Sequence, residues 1–148
     1  REGIQDVRGS LNRLRPGALE ERTLKDALEK TIREYQILSN LQVDLNYEWI
    51  DVDMDVMIED TIFRVIQESM TNAVRHGHAS HMDLHFFEDE EDYMIELQDN
   101  GVGFETLTYG YGLKQMMERI SILGGQLQFE SRDGFFTRVS LPKYKEGR

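Results

Sequence analysis

Gln67-Glu68-Ser69-Met70-Thr71-Asn72-Ala73-Val74-Arg75-His76 is the stretch that decides how this chain is read, because it combines a helical apolar period with chemically useful polar side chains. From Asp55 to about Arg75 the apolar residues Ile58, Ile62, Val65, Ile66, Met70, Ala73 and Val74 recur at spacings of three and four. That is the period of an amphipathic helix with one wide buried face. Residues four and seven apart share a helix face, so Glu68, Asn72 and Arg75 fall in a narrow arc of the polar side, with His76 on its flank. The arc offers a carboxylate, a carboxamide, a fixed cation and an imidazole. A magnesium-bound phosphate chain has a use for each. Magnesium takes hard oxygen ligands, keeps several waters and needs only one or two protein ligands, and the Asn72 oxygen can be one. Arg75 can fork onto phosphate oxygens, and Glu68 can orient or deprotonate a nucleophile. Taken alone, the helix is explained equally well as a solvent-facing side with ordinary polar residues.

Two glycine-rich turns follow. Tyr93-Met94-Ile95-Glu96-Leu97 reads as a strand and runs straight into Asp99-Asn100-Gly101-Val102-Gly103-Phe104. Asn-Gly after a strand is a hairpin signal, but a second alternating run should then follow. Instead there is a short polar stretch from Glu105 to Tyr109, then Gly110-Tyr111-Gly112 directly before Leu113-Lys114-Gln115-Met116-Met117-Glu118-Arg119-Ile120, which has helical spacing. A glycine turn opening a helix presents free N–H groups and the positive end of the dipole to an anion. Neither G-x-x-x-x-G-K-[ST] nor a Rossmann fingerprint is present. Two glycine pairs flanking a short segment fit a hinged lid over a nucleotide.

In this order the segments resemble the N, G1 and G2 boxes of the histidine-kinase type of ATP-binding domain, whose fold is shared with gyrase B, Hsp90 and MutL. The resemblance runs from about Ile37 to Pro142. It is nearest to bacterial sensor kinases that pair with helix-turn-helix response regulators, through Gln67–His76, Asp99–Phe104 and a short lid leading into Gly110–Arg119, with Gly124-Gly125 and Leu141-Pro142 behind. It implies ATP and Mg²⁺ as cofactors. Asp99 would accept a hydrogen bond from the adenine amino group, and Asn72 would bind magnesium. Arg75, His76 and Lys114 would reach the phosphates. Gly101, Gly103, Gly110, Gly112 and Leu113 would shape the pocket floor and lid. Thr137 would frame the adenine, and Glu68 stands at the position proposed as general base. The family pattern has a glycine directly before the strand threonine, where this chain has Phe135-Phe136, and an arginine where it has Met117.

The expected fold is α+β, a two-layer α/β sandwich of the Bergerat type with helices on one face of a mixed sheet and a short ATP lid. The expected order is a helix over about Leu19–Leu38, a strand near Gln42–Trp49, the Asp55–Arg75 helix and strands near Met82–Glu88 and Tyr93–Gln98. A helix near Leu113–Leu123 and strands near Gln126–Glu130 and Thr137–Leu141 complete it. Leu14-Arg15-Pro16 resembles the junction closing a dimerisation helix, so residues 1–16 are assigned to the end of that helix and 17–148 to the catalytic ATP-binding domain. The chain begins at Arg1 rather than Met, and its four histidines, His76, His78, His81 and His85, all lie in or just after the first box. A fragment without the phosphoacceptor helix is therefore expected.

Composition bounds the function. A chain of 148 residues suits one domain. It has no cysteine, hence no disulfide framework, and no run long enough to span a membrane. A formal net charge of −11 argues against nucleic acid or an anionic membrane as partner. It also makes an anionic ligand depend on local donors and magnesium. The histidine spacings match no closed zinc site, and Glu88-Asp89-Glu90-Glu91-Asp92 reads as a solvated hairpin loop. The resemblance implies a cytoplasmic histidine kinase module of a membrane-anchored sensor. Its partners would be its own dimerisation helix, within a homodimer, and a response-regulator receiver domain. A serine kinase of the anti-sigma-factor type and a non-catalytic ATP-binding regulator are the alternatives.

Overall fold

The computed structural model describes residues 23–50, 52–104 and 111–143. Its elements run α1 (Leu24–Leu38), β1 (Gln42–Tyr47), α2 (Val56–Arg75), β2 (His81–Glu88), β3 (Asp92–Asp99), α3 (Tyr111–Ile122), β4 (Gln126–Ser131) and β5 (Phe135–Pro142). The expected dimerisation stub at 1–16 and the lid residue Gly110 lie outside the described residues.

α1 and α2 each start where a side chain satisfies a free N–H group. Thr23 accepts from the Asp26 amide at 3.1 Å, and Asp55 accepts from the Met57 amide at 2.8 Å. The apolar stripe read from the sequence is the buried face of α2, with Ile62, Phe63, Val65, Ile66, Met70 and Ala73 all buried.

The strands form one five-stranded sheet in the order β1-β2-β3-β5-β4. β1 and β2 are parallel, as a crossover through α2 requires, and the other neighbours are antiparallel. Register decides which face is covered. Leu84 faces Leu97, which faces Thr137, and Phe86 faces Ile95, which faces Val139, so buried residues line up across strands. The intervening row of Asp83, Gln98, His85, Glu96 and Arg138 looks the other way. The core lies between the first face and the helices, as the α+β two-layer reading expected. Trp49 closes its edge against Phe86 (4.9 Å) and Tyr93 (5.3 Å), with its indole N–H donated to the Phe87 carbonyl at 2.7 Å. The acidic run between β2 and β3 is a hairpin loop. There the amides of Asp92 and Glu91 bond Asp89 and hold its carboxyl below the ordinary range.

Near the start of α2, burial and secondarily the charge of Asp53 push the Glu59 carboxyl above its usual range. Burial, with Glu59 adding, pushes the Tyr47 phenol up to about 12. The folded chain therefore binds the Glu59 proton more tightly than the unfolded chain. Its contribution to stability is full below the ordinary carboxylate range and declines as pH rises through the folded value. Glu59→Gln should raise the thermal midpoint at neutral pH by on the order of 1–3 °C, with a smaller gain near pH 4. Calorimetric melting at both pH values checks this, and an equal or absent gain would mean that helix-dipole attraction for Glu59 outweighs its burial.

Candidate functional site

A cavity of about 460 Å³ lies between the sheet and the facing helices. The sheet side contributes Leu97, Asp99, Phe129, Phe135 and Thr137, and α2 contributes Glu68, Asn72 and, just past its end, His76. Gly112, Leu113 and Met116 of α3 close it, with Gly103 and Phe104 from the turn after β3.

Asp99 is the buried charge of this cavity, 5% exposed. Its Oδ1 accepts two backbone N–H groups, from Gly101 at 2.8 Å and from Phe135 at 2.9 Å. Its Oδ2 accepts no hydrogen bond from any described residue. That oxygen opens onto the cavity rather than being sealed in the core, so Asp99 carries an acceptor that suits an incoming N–H. The preceding strand ends close against the next hairpin. Gly134 has φ +134° and a Cβ there would run into the Asp99 carbonyl oxygen. The glycine that the family pattern sets directly before the strand threonine is absent, Phe136 standing there, and the residue directly after Gly134 is Phe135, whose amide holds Asp99. Thr137, buried at 3%, lines the same cavity one pleat farther along β5.

Asn100 fixes the turn from behind. Its side-chain oxygen accepts from the Ser80 and His81 amides at 2.9 and 3.0 Å, and its backbone N–H donates to the His81 carbonyl at 3.1 Å. Val102 N–H reaches the Gly77 carbonyl at 3.0 Å, and a Cβ on Gly101 would sit 2.5 Å from that same oxygen. The end of α2 and the Asp99–Gly103 turn are therefore one packed unit.

On the helix side Glu68, Asn72 and His76, spaced by four, all line the cavity. None of their side chains has a hydrogen bond or ion pair to a described residue. The Glu68 carboxylate lies directly against Gly112, where a Cβ would overlap Oε2. Arg75 and Lys114 are exposed and do not line the cavity, and Gly101 supports it from behind. At roughly 100° per residue Arg75 turns about 60° from Asn72 toward the flank away from Ser69 and Ala73, which do line it.

The residue types fit a magnesium-bound nucleotide. A spare buried acceptor, an apolar wall and a carboxamide-carboxylate-imidazole row beside the start of a helix offer a place to an amino-bearing base, a ring and a metal-bound anion. Sequence reading missed Gly134, Phe135 and Phe129 as site residues. The Asp133-Gly134 hairpin signal could have located the turn, but nothing local says that it packs on Asp99. The four histidines do not gather. Among the described residues the one metal-like group is Asp44, His81 and Asp83 on β1 and β2, on the sheet face opposite the one from which Met82 lines the cavity.

Residues 57–145 match the family described as histidine kinase-, DNA gyrase B-, and HSP90-like ATPase. The chain belongs to this family. Among curated relatives, it is 36% identical over 147 residues to the signal transduction histidine-protein kinase/phosphatase UhpB of Salmonella typhimurium, covering 95% of this chain and 29% of that protein. It is 29% identical over 143 residues to the sensor histidine kinase LiaS of Bacillus subtilis, covering 95% and 39%. The chain thus spans between 29% and 39% of these two relatives. In fold it is similar to Acinetobacter baumannii histidine kinase AdeS, with TM-score 0.68 at 20% identity over 91% of this chain and 77% of that one. The histidine kinase domain of the blue-light activated kinase EL346 from Erythrobacter litoralis gives TM-score 0.69 at 17% identity, over 80% and 60%. Among the described residues no helix is long and apolar enough to cross a membrane.

Two glycines in this ATPase-family domain separate structure from site. Gly134→Ala forces a strained φ and a backbone collision with Asp99, so it should cost roughly 2 kcal/mol or more in urea unfolding. Gly112→Ala meets only the end of the flexible Glu68 side chain and should leave stability within about 1 kcal/mol. Equal losses in the two variants would show that Glu68 is held as rigidly as the Asp99 backbone.

Proposed function

We propose that this chain is the catalytic ATP-binding module of a sensor histidine kinase. It binds Mg-ATP in the cavity and donates the γ-phosphoryl to a histidine on a dimerisation helix, for relay to the receiver domain of a response regulator. The observation that carries this reading is Asp99, a buried carboxylate with one oxygen locked by two amides and the other available to an adenine amino group. An amino donor there selects adenine over guanine, which carries a carbonyl at that position. Support comes also from the relatives, named as a signal transduction histidine-protein kinase/phosphatase, a sensor protein and a sensor histidine kinase.

Residue roles follow from position. Asp99 and Thr137 hold the base end, with Gly103 and Phe104 beside them. Asn72 supplies a magnesium ligand, and His76 stands beside the phosphates. The free N–H groups at Gly112 and Leu113 receive phosphate oxygens at the start of α3. Magnesium, when bound, neutralises phosphate charge that this acidic domain could not otherwise accommodate. Glu68, beside Gly112, orients the acceptor imidazole or takes its proton. Arg75 and Lys114 reach phosphates only if their side chains swing toward the cavity. The module works in the cytoplasm as part of a homodimeric sensor, pairing with a regulator of the helix-turn-helix class. The serine-kinase alternative shares the motifs but gains nothing from the relatives.

Titration calorimetry tests the reading. ATP should bind with heat that depends on magnesium, and GTP should give none. Asn72→Ala should abolish the magnesium dependence while the melting midpoint stays in place. Asp99→Asn should weaken ATP at least tenfold and leave inorganic triphosphate unaffected. Equal binding of GTP and ATP, or unchanged magnesium dependence in Asn72→Ala, would sink the site assignment.

A further inference from the structure

A triphosphate in the cavity just described would find carboxylates but few cations. Among the described residues lining it there is no lysine or arginine, while Glu68 and Asp99 both are there, in a chain of formal net charge −11. A second cavity of about 320 Å³ adjoins the first, sharing Glu68, Gly112 and Met116 as common wall. This one is polar and holds two guanidinium groups, Arg64 from α2 and Arg119 from the last turn of α3. The hydroxyls of Tyr35 and Thr71, 2.6 Å apart, also line it and tie α1 to α2.

Both arginines have capacity to spare. Arg64 uses Nε on Asp60 at 2.9 Å, and its terminal nitrogens bond no described residue. Arg119 has no ion pair or hydrogen bond with any described residue. A solvated arginine near a helix C-terminus is ordinary, but these two open onto a cavity walled by the same Glu68 that lines the nucleotide cavity. Helix geometry explains the division. At roughly 100° per residue, Asn72 and His76 turn to one side of Glu68, and Arg64 and Thr71 to the other. Glu68 stands on the ridge between the two spaces.

We propose that the terminal phosphoryl group is transferred at this shared wall, with Arg64 and Arg119 as catalytic residues that hold its oxygens. This rests on the kinase reading above. The bond between the γ-phosphorus and the β,γ-bridging oxygen breaks, and its electron pair stays with that oxygen on ADP. The lone pair of an acceptor imidazole nitrogen, entering through the second cavity, forms the N–P bond. The proton on the other ring nitrogen leaves to the Glu68 carboxylate and then to water. Guanidinium groups remain charged throughout and fork onto phosphoryl oxygens, supplying the charge neutralisation on which such transfer depends. ADP, lacking the group they hold, is bound without them.

The test uses the full-length kinase with its own histidine helix. Transfer from radiolabelled ATP and the affinities for ATP and ADP are measured for Arg64→Gln, Arg119→Gln, Arg119→Lys and the double glutamine variant. The double variant should lose about 100-fold or more in transfer rate. It should keep ADP affinity within about twofold and lose the excess affinity for ATP over ADP. Arg119→Lys should recover part of the rate. Transfer at the wild-type rate in the double variant overturns the proposal. So does a parallel loss of ADP affinity, which would mark the arginines as structural. A wild-type protein that binds ATP but never labels a histidine would instead overturn the kinase reading itself.

Discussion

The Asp99 carboxylate joins three parts of the chain that are far apart in sequence. One oxygen takes the Gly101 amide, which fixes the turn after β3, and the Phe135 amide, which brings the β4–β5 hairpin against that turn. Gly134 makes the approach feasible because no Cβ stands between it and the Asp99 backbone. Gly77 does the same on the other flank, receiving Val102 and leaving room only for glycine at position 101. The cavity is thus bounded by backbone contacts that fold together or not at all, and a charge buried this deeply is tolerated because two amides share one of its oxygens.

Electrostatics sets the second constraint. The domain is acidic, and the carboxylates at its cavity would repel a phosphate chain. The counter-charges available are a metal ion, the amides at the start of α3 and guanidinium groups across the Glu68 ridge. Arranging cations beyond the ridge leaves the base end free of them. In the proposed reading, affinity for the common part of the nucleotide and affinity for its terminal group rest on different residues, which suits release of ADP after transfer.

Much of the architecture was legible because local rules and global packing agree. The apolar spacing of three and four in residues 55–75 marks a helix in any context that offers it a core, and Asp55 and Thr23 are caps by residue type alone. The strands of the sheet followed from alternation bounded by turn residues, and their ends moved by one or two positions, β2 to β5 extending while β1 ends at Tyr47 rather than near Trp49. β5 begins at Phe135 rather than near Thr137, because Phe135 continues the pairing with β4 opposite Ser131.

The sequence by itself determined the helix carrying Glu68, Asn72 and His76, the glycine turn after β3, the α+β class and the kinship with this ATPase family. All of these are written in short-range spacing. Which polar residues actually meet was decided by tertiary structure. A helical arc leaves Arg75 and His76 as near equals, yet only His76 lines the cavity, because the sheet and α3 approach α2 from one flank. Phe135 and Gly134 lie more than thirty positions from Asp99 and became part of its site only through the register of β3 on β5. Nothing in local spacing sets Arg64 and Arg119 apart, and the packing of α2 on α3 places both beside Glu68. Spacing along the chain fixes the direction of a side chain relative to its own helix or strand. What that side chain faces depends on long-range packing, to which a local pattern is blind.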